Sequence, residues 1–281
     1  MNAFLNSLRL LLLVGLVACR SNDQSASEAS VPTLSDTQWE LVWSDEFDYE
    51  GAPDPNKWGY EQGFIRNDEL QYYTNRPENV RVDGDHLVIE ARRDSAVVDG
   101  ETREITSASV TTRGKQSWQY GKVEISAKLP NGLGTWPALW MLGENIADAG
   151  WPRCGEIDIM ENVGYNADTV FTTIHTEAYN HTRGTQKIEG TYLPSGDDEF
   201  HTYGVEWNTQ QIDFFIDDDR VFTVTKQTGD GVEEWPFDQP FFLLMNFAFG
   251  GAWGGVQGVD KNVLPQQYLI DYVRVYQAKA E

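Results

Sequence analysis

The sequence predicts an all-β domain, a β-sandwich or jelly roll of two packed antiparallel sheets, and three observations predict it. Short runs rich in Val, Ile, Phe, Tyr and Thr recur along the chain. Gly, Asn, Asp and Pro fill the gaps, as in Leu129-Pro130-Asn131-Gly132 and Asp217-Asp218-Asp219. No long 3.6-residue period appears outside the N-terminal segment. Many short strands with turns between them are the signature of two stacked sheets.

Taken in order, the chain opens with a targeting segment. Arg9 precedes the apolar run Leu10 to Ala18. That run has the length of a signal-peptide core and is too short for the roughly 20 residues that span a bilayer. Leu16-Val17-Ala18-Cys19 resembles a bacterial lipoprotein signal, in which cleavage leaves the Cys to carry lipid. Residues 1–18 are therefore expected to be a lipoprotein-type signal peptide and Cys19 the lipidated residue; an ordinary secretory signal is the alternative. Arg20 in place of Asp disfavours inner-membrane retention by the same resemblance. The chain is then exported, to the outer membrane or cell surface, otherwise secreted. Residues 19–36, rich in Ser, Ala, Asp and Glu, form a flexible tether. The folded domain is expected over 37–279.

Within it the strand candidates are Glu40–Trp43, Val80–Val82, His86–Ala91, Tyr120–Lys128, Gly155–Met160, Val170–His175, His201–Trp207, Gln211–Ile216, Arg220–Thr225, Phe241–Phe247 and Tyr268–Gln277. In Val123-Glu124-Ile125-Ser126-Ala127-Lys128, apolar and polar residues alternate, which sets one face on the core and the other on solvent or a cleft.

Composition narrows the function. The 281 residues carry 21 Lys and Arg against 44 Asp and Glu, a formal charge of −23. Nucleic acid and anionic lipid both require basic patches, so neither is an expected partner; a neutral polymer makes no such demand. With 10 Trp, 12 Tyr and 13 Phe, the chain has rings to spare for stacking on sugars as well as for a core. Two cysteines, Cys19 and Cys154, exclude a disulfide framework, and Cys154 is expected as a small buried thiol.

The chemistry concentrates in Gly155-Glu156-Ile157-Asp158-Ile159-Met160-Glu161-Asn162. On a strand, Glu156 and Asp158 share one face and Ile157 and Ile159 the other. Strict alternation would bury Glu161 among the isoleucines, a costly place for a carboxylate. One extra residue, a β-bulge at Ile159–Met160, returns it to the polar face. Glu156 and Glu161 then stand roughly 13 Å apart at their α-carbons, and side chains leaning together can reach the ~5–5.5 Å carboxyl gap of a retaining glycosidase. Three acids on one face cannot all ionise freely, so at least one pKa rises. Spacing does not decide which glutamate does what. A solvated acidic strand and a metal site are the competing readings; no His joins the segment, and calcium sites are usually built on loops.

The same segment, with its flanks, resembles glycoside hydrolase family 16, in particular the laminarinase-like endo-1,3-β-glucanases, over about Trp39 to Gln277. The longer family signature, Glu-x-Asp-x-x-Glu, falls on Glu156, Asp158 and Glu161. The flanks are Asn67-Asp68-Glu69-Leu70-Gln71-Tyr72-Tyr73-Thr74, Gly134-Thr135-Trp136-Pro137-Ala138-Leu139-Trp140-Met141, and Phe242-Leu243-Leu244-Met245-Asn246 leading to Gly250-Gly251-Ala252-Trp253-Gly254-Gly255. Ala252 and Gly255 depart from the usual Gly-Gly-Asn-Trp-Pro-Gly.

The resemblance implies a jelly roll with a substrate cleft on its concave face and a retaining double displacement. It makes Glu156 the nucleophile, Asp158 its assistant and Glu161 the acid/base. Trp136, Trp140 and Trp253 look like sugar-stacking residues. Asn67, Arg113 and Asn246 are candidates for hydrogen bonds to sugar hydroxyls, and His175 for a place beside the cleft. Glu206 is expected on the cleft side. No cofactor is expected for catalysis. A structural calcium is implied at Glu46, Gly84 and Asp271. The expected partner is β-glucan, the chain working as a monomer that meets a membrane only through its lipid. Alternatives are hydrolysis of mixed-linkage β-glucan or a marine galactan, or a non-catalytic glucan-binding protein.

Overall fold

Alternation along each strand decides which side chains meet between the sheets and which are left on the outside, and both sets matter here. A computed structural model describes residues 37–98 and 100–279. The expected signal peptide, Cys19 and the tether lie outside the described residues.

A seven-stranded sheet runs in the order Lys187–Tyr192, Thr169–His175, Glu156–Asn162, Thr135–Gly143, Phe241–Phe249, Ser109–Thr111, Gly59–Glu61. The main path of an eleven-stranded sheet runs Asp219–Thr225, Gln211–Ile216, His201–Trp207, Gly121–Lys128, Gln266–Ala278, Leu87–Val98, Val80–Asp83, Glu50–Gly51, with Trp39–Asp45 also paired to Gln266–Ala278. Among the described residues the ladders are antiparallel, except that Tyr72–Tyr73 runs parallel to Glu101–Ser107. Among the described residues the two α-helices, Ile146–Ala149 and Gly251–Gly254, are single turns.

The strand Thr135–Gly143 has no counterpart among the sequence candidates. It lies between the carboxylate strand and Phe241–Phe249, is buried on both faces, and so lacks polar alternation. Pro137 also argues against a central strand, because proline cannot donate to a ladder. The ladder to the carboxylate strand begins one residue later, at Ala138.

One cluster fills the space between the sheets. Leu139, Met141, Ile157, Ile159, Met160, Leu243 and Met245 come from the seven-stranded sheet, and Val123, Ile125, Tyr203, Val205, Tyr268 and Val273 from the other. The opposite face of the seven-stranded sheet is aromatic too, with Ala138, Trp140, Phe242 and Leu244 in one patch and Trp136, Val163 and Ala248 in another. This outer face carries the acids.

Glu206 does not belong to it. Val205 and Trp207 point into the core from the eleven-stranded sheet, so Glu206 between them faces outward on that sheet, where Lys122 approaches to 3.5 Å. A strand read alone shows that two faces differ but not which sheet it joins, which is why the cleft-side expectation fails.

Candidate active site

The carboxylate strand breaks register at the expected place. Asp158 pairs with Trp140 and Met160 with Leu139, so Ile159 has no partner on that side. On the other side Asp158 pairs with Thr173 and Glu161 with Phe171, leaving two residues opposite one. Ile159 and Met160 are both fully buried. Burying two such side chains contributes about 1.5–3 kcal/mol each, against roughly 0.5–1.5 kcal/mol for a lost ladder hydrogen bond. The core therefore holds the bulge open, and Glu161 comes round to the face of Glu156 and Asp158. Gly155 sets the start of the strand. Its φ is 78°, and a Cβ there would sit 2.8 Å from Pro236 Cγ.

Each glutamate receives an indole. Trp151 Nε1 donates to Glu156 Oε2 at 2.8 Å, and Trp136 Nε1 donates to Glu161 Oε1 at 3.0 Å. Asp158 is buried between them, 3% exposed, and is hydrogen-bonded to Glu156. Burial pushes Glu161 up to about 8; Trp136 opposes this and the charge of Glu156 adds to it. Burial also pushes Glu156 up, to about 7, against the Trp151 bond and the positive field of Arg66. Asp158 is raised well above the carboxylate range by burial and then by both glutamates. Only Glu156 has a cation acting on it, so the surroundings separate the two glutamates in one direction: Glu156 ionises first.

His175 pairs with Glu156 across the strands and points Nε2 at the acids, 3.5 Å from Asp158 Oδ2 and 3.7 Å from Glu156 Oε1. Burial, then His181, lowers its pKa to about 3, so its imidazole is neutral. Trp140 Nε1 donates to Asn246 Oδ1 at 2.7 Å, and Asn246 Nδ2 donates to Tyr73 Oη at 3.0 Å. Tyr73 in turn donates to Glu69 at 3.1 Å. Trp253 stands edge-on to Trp136 and Phe171.

Trp136, Trp140, His175, Asn246 and Trp253 thus gather with the acids, on the outer face or packed over it. Asn246 spends its amide on protein partners rather than standing free for sugar. Asn67 and Arg113 are exposed at the surface beside this group. Asn67 is exposed at φ 57°, and its carbonyl accepts Ala252 N–H at 2.7 Å, which ties two loops together. Arg113 is exposed with its guanidinium 5.4 Å over Phe242. Sequence reasoning passed over Trp151 and Arg66. A Trp-Pro pair just before the carboxylate strand was a usable signal for the first. Arg66, paired with Glu61 and 4.9 Å over Trp140, had none.

The implied calcium residues have other partners. Both Glu46 oxygens accept from Arg274, at 3.1 and 2.7 Å, and Asp271 accepts from Ser126 at 3.2 Å. Calcium takes six to eight oxygens, and a guanidinium occupies the place of a cation at Glu46, so the residues as arranged do not fit the ion.

A buried acid that keeps its proton near neutrality, beside a second that gives its proton up sooner, is what breaking an acetal between sugars demands. Glycoside hydrolase is the class that this site and sandwich define. Residues 67–274 match the glycosyl hydrolases family 16, and the chain belongs to that family. A β-glucanase of Rhodothermus marinus is 53% identical over 247 residues, 85% of each chain. The solved laminarinase of Rhodothermus marinus superposes with a TM-score of 0.83 at 51% identity, covering 87% of this chain and 99% of that one. Its jelly roll is the fold of this domain. A keratan-sulfate endo-1,4-β-galactosidase of Sphingobacterium multivorum is 38% identical over 87% of this chain, which spans only 56% of that longer relative.

Proposed function

We propose that this chain is a retaining endo-hydrolase of β-1,3-glucan. The observation that carries the mechanism is the bulge, which sets Glu156, Asp158 and Glu161 on one face. Glu156, the earlier to ionise, attacks the anomeric carbon. Glu161, the later, gives its proton to the departing glycosidic oxygen. Glu161, now a base, takes a proton from water, and that water releases the sugar from Glu156 with the β-configuration kept. Asp158 holds the Glu156 carboxyl through their hydrogen bond. Trp136 and Trp253 offer ring faces and edges to the pyranose. The polymer is supported by the family and by relatives named β-glucanase and laminarinase. The test is NMR of the first products from laminarin, expected to be β-anomers of several sugar units. α-Products would remove the double displacement, and release of glucose alone would remove endo action.

The galactosidase relative supports a second polymer, a galactan, on the same machinery. Reducing-sugar release on laminarin, lichenan, agarose and carrageenan decides between them. Loss of the two glutamates would be expected of a protein that only binds glucan, and both are present. Export with lipid on Cys19 belongs to the same reading; mass spectrometry of the membrane-extracted protein tests it. Calcium at Glu46, Gly84 and Asp271 rests on the likeness to the family and requires a rearrangement in which Glu46 exchanges Arg274 for the ion. A melting temperature raised by calcium in wild type, and not in Asp271→Asn, is its expected sign.

A further inference from the structure

The same strand pair holds an arrangement that the hydrolytic mechanism does not use. His175 Nε2, Glu156 Oε1 and Asp158 Oδ2 converge, and one ligand atom from each lies within 4.8 Å of the others. From His175 Nε2 the separations are 3.5 Å to Asp158 Oδ2 and 3.7 Å to Glu156 Oε1. A tetrahedral zinc site with metal–ligand bonds of ~2.1 Å has edges of about 3.4 Å. The two edges that meet at His175 Nε2 therefore match that geometry to within a few tenths of an ångström.

Apart from the proton shared by Glu156 and Asp158, the ligand atoms are open to an ion. Asp158 is 3% exposed, and its Oδ2 has no hydrogen-bond partner. A buried acceptor left unpaired costs about 1–3 kcal/mol, which an ion would recover. Trp151 holds Glu156 Oε2, turning Oε1 toward His175. One nitrogen and two carboxylate oxygens suit zinc and its first-row neighbours; calcium and magnesium prefer more oxygens and no imidazole.

We propose that Glu156, Asp158 and His175 form an inhibitory site for a tetrahedral divalent transition metal, zinc first, with the fourth position left to water. The ion would displace the proton between Glu156 and Asp158 and occupy the lone pairs needed for attack, so metal and glucan exclude one another. The site shares Glu156 with the proposed catalysis, but its occupancy can be read without any substrate. His175 Nδ1 has no partner to orient the ring. Such outer partners are typically worth 10–100-fold in affinity, so binding is reversible and chelators strip it.

The experiment titrates EDTA-treated full-length protein with zinc chloride by calorimetry, and with cobalt chloride by visible absorption. One ion per chain is expected, with the intense d–d bands of tetrahedral cobalt. His175→Ala and, separately, Asp158→Asn should each weaken binding at least tenfold, while His86→Ala, in a turn between two strands of the other sheet, leaves it unchanged. Two variants keep the test open if one fails to fold. Laminarin oligosaccharide should raise the apparent zinc Kd in proportion to its concentration. Weak octahedral cobalt bands, wild-type affinity in the folded variants, or zinc affinity indifferent to the oligosaccharide in a protein that hydrolyses laminarin would each overturn the site. A protein that binds zinc as described yet hydrolyses no glucan would leave the site standing and remove the proposed function instead.

Discussion

Trp151→Phe isolates one hydrogen bond to the attacking carboxylate. The substitution keeps a ring against His175 and His181 and removes the N–H that reaches Glu156 Oε2 at 2.8 Å. A hydrogen bond to a charged group contributes about 1.5–3 kcal/mol, and one pKa unit corresponds to about 1.4 kcal/mol. Losing a donor that favours the ionised form should therefore raise the Glu156 pKa by about one to two units from its value of about 7. Below that pKa only the ionised fraction attacks, so kcat/KM at pH 6 should fall roughly 10–100-fold. Toward pH 8 the loss should shrink, although Glu161 then begins to lose its own proton and the peak stays below that of wild type. The assay is kcat/KM on laminarin across this range, with circular dichroism to confirm folding. An acidic limb that does not move would rule out this role for the Trp151 N–H. A loss uniform in pH would make Trp151 a sugar platform and nothing more.

Glu161→Ala should lose about 10²–10⁴-fold in kcat, the range of general acid–base assistance, and Glu156→Ser nearly all activity, both measured on laminarin with the melting temperature as control. Glu161→Gln should leave stability unchanged at pH 4 and increase it at pH 8. The folded pKa of about 8 lies above the unfolded value near 4.5, so wild type loses stability as pH rises through that window while glutamine does not; thermal melts at both pH values check this. Asn246→Leu removes the acceptor of Trp140 Nε1 and the amide that donates to Tyr73 Oη. Tyr73 keeps its bond to Glu69, so with one buried N–H left unpaired urea unfolding should show a loss of about 1–3 kcal/mol.

The fold was legible where burial is one-sided. His201–Trp207 and Gln211–Ile216 have the bounds that alternation gives. The strand Thr135–Gly143 was opaque because its two faces meet core and aromatic patch alike. The acids were legible because a carboxylate among isoleucines is too costly to accept, and that conflict located the bulge. What surrounds them was less so. Trp151 and Arg66 arrive from loops whose course depends on tertiary packing, and no local period announces them. Glu206 shows the converse error: its strand alternates correctly but lies in the other sheet, beside Lys122.

The bulge also bears on how this strand could lose a residue. Excising Met160 would leave Glu156, Asp158 and the displaced third acid spaced by twos, so all three would stay in phase and Asn162 would keep its side. Loss of a single residue inverts everything downstream in an ordinary ladder; here it would straighten the ribbon and leave a void where the methionine packed. The reacting edge of this protein is therefore compatible with two backbones, and a shortening here would be felt in the core before it was felt by the sugar.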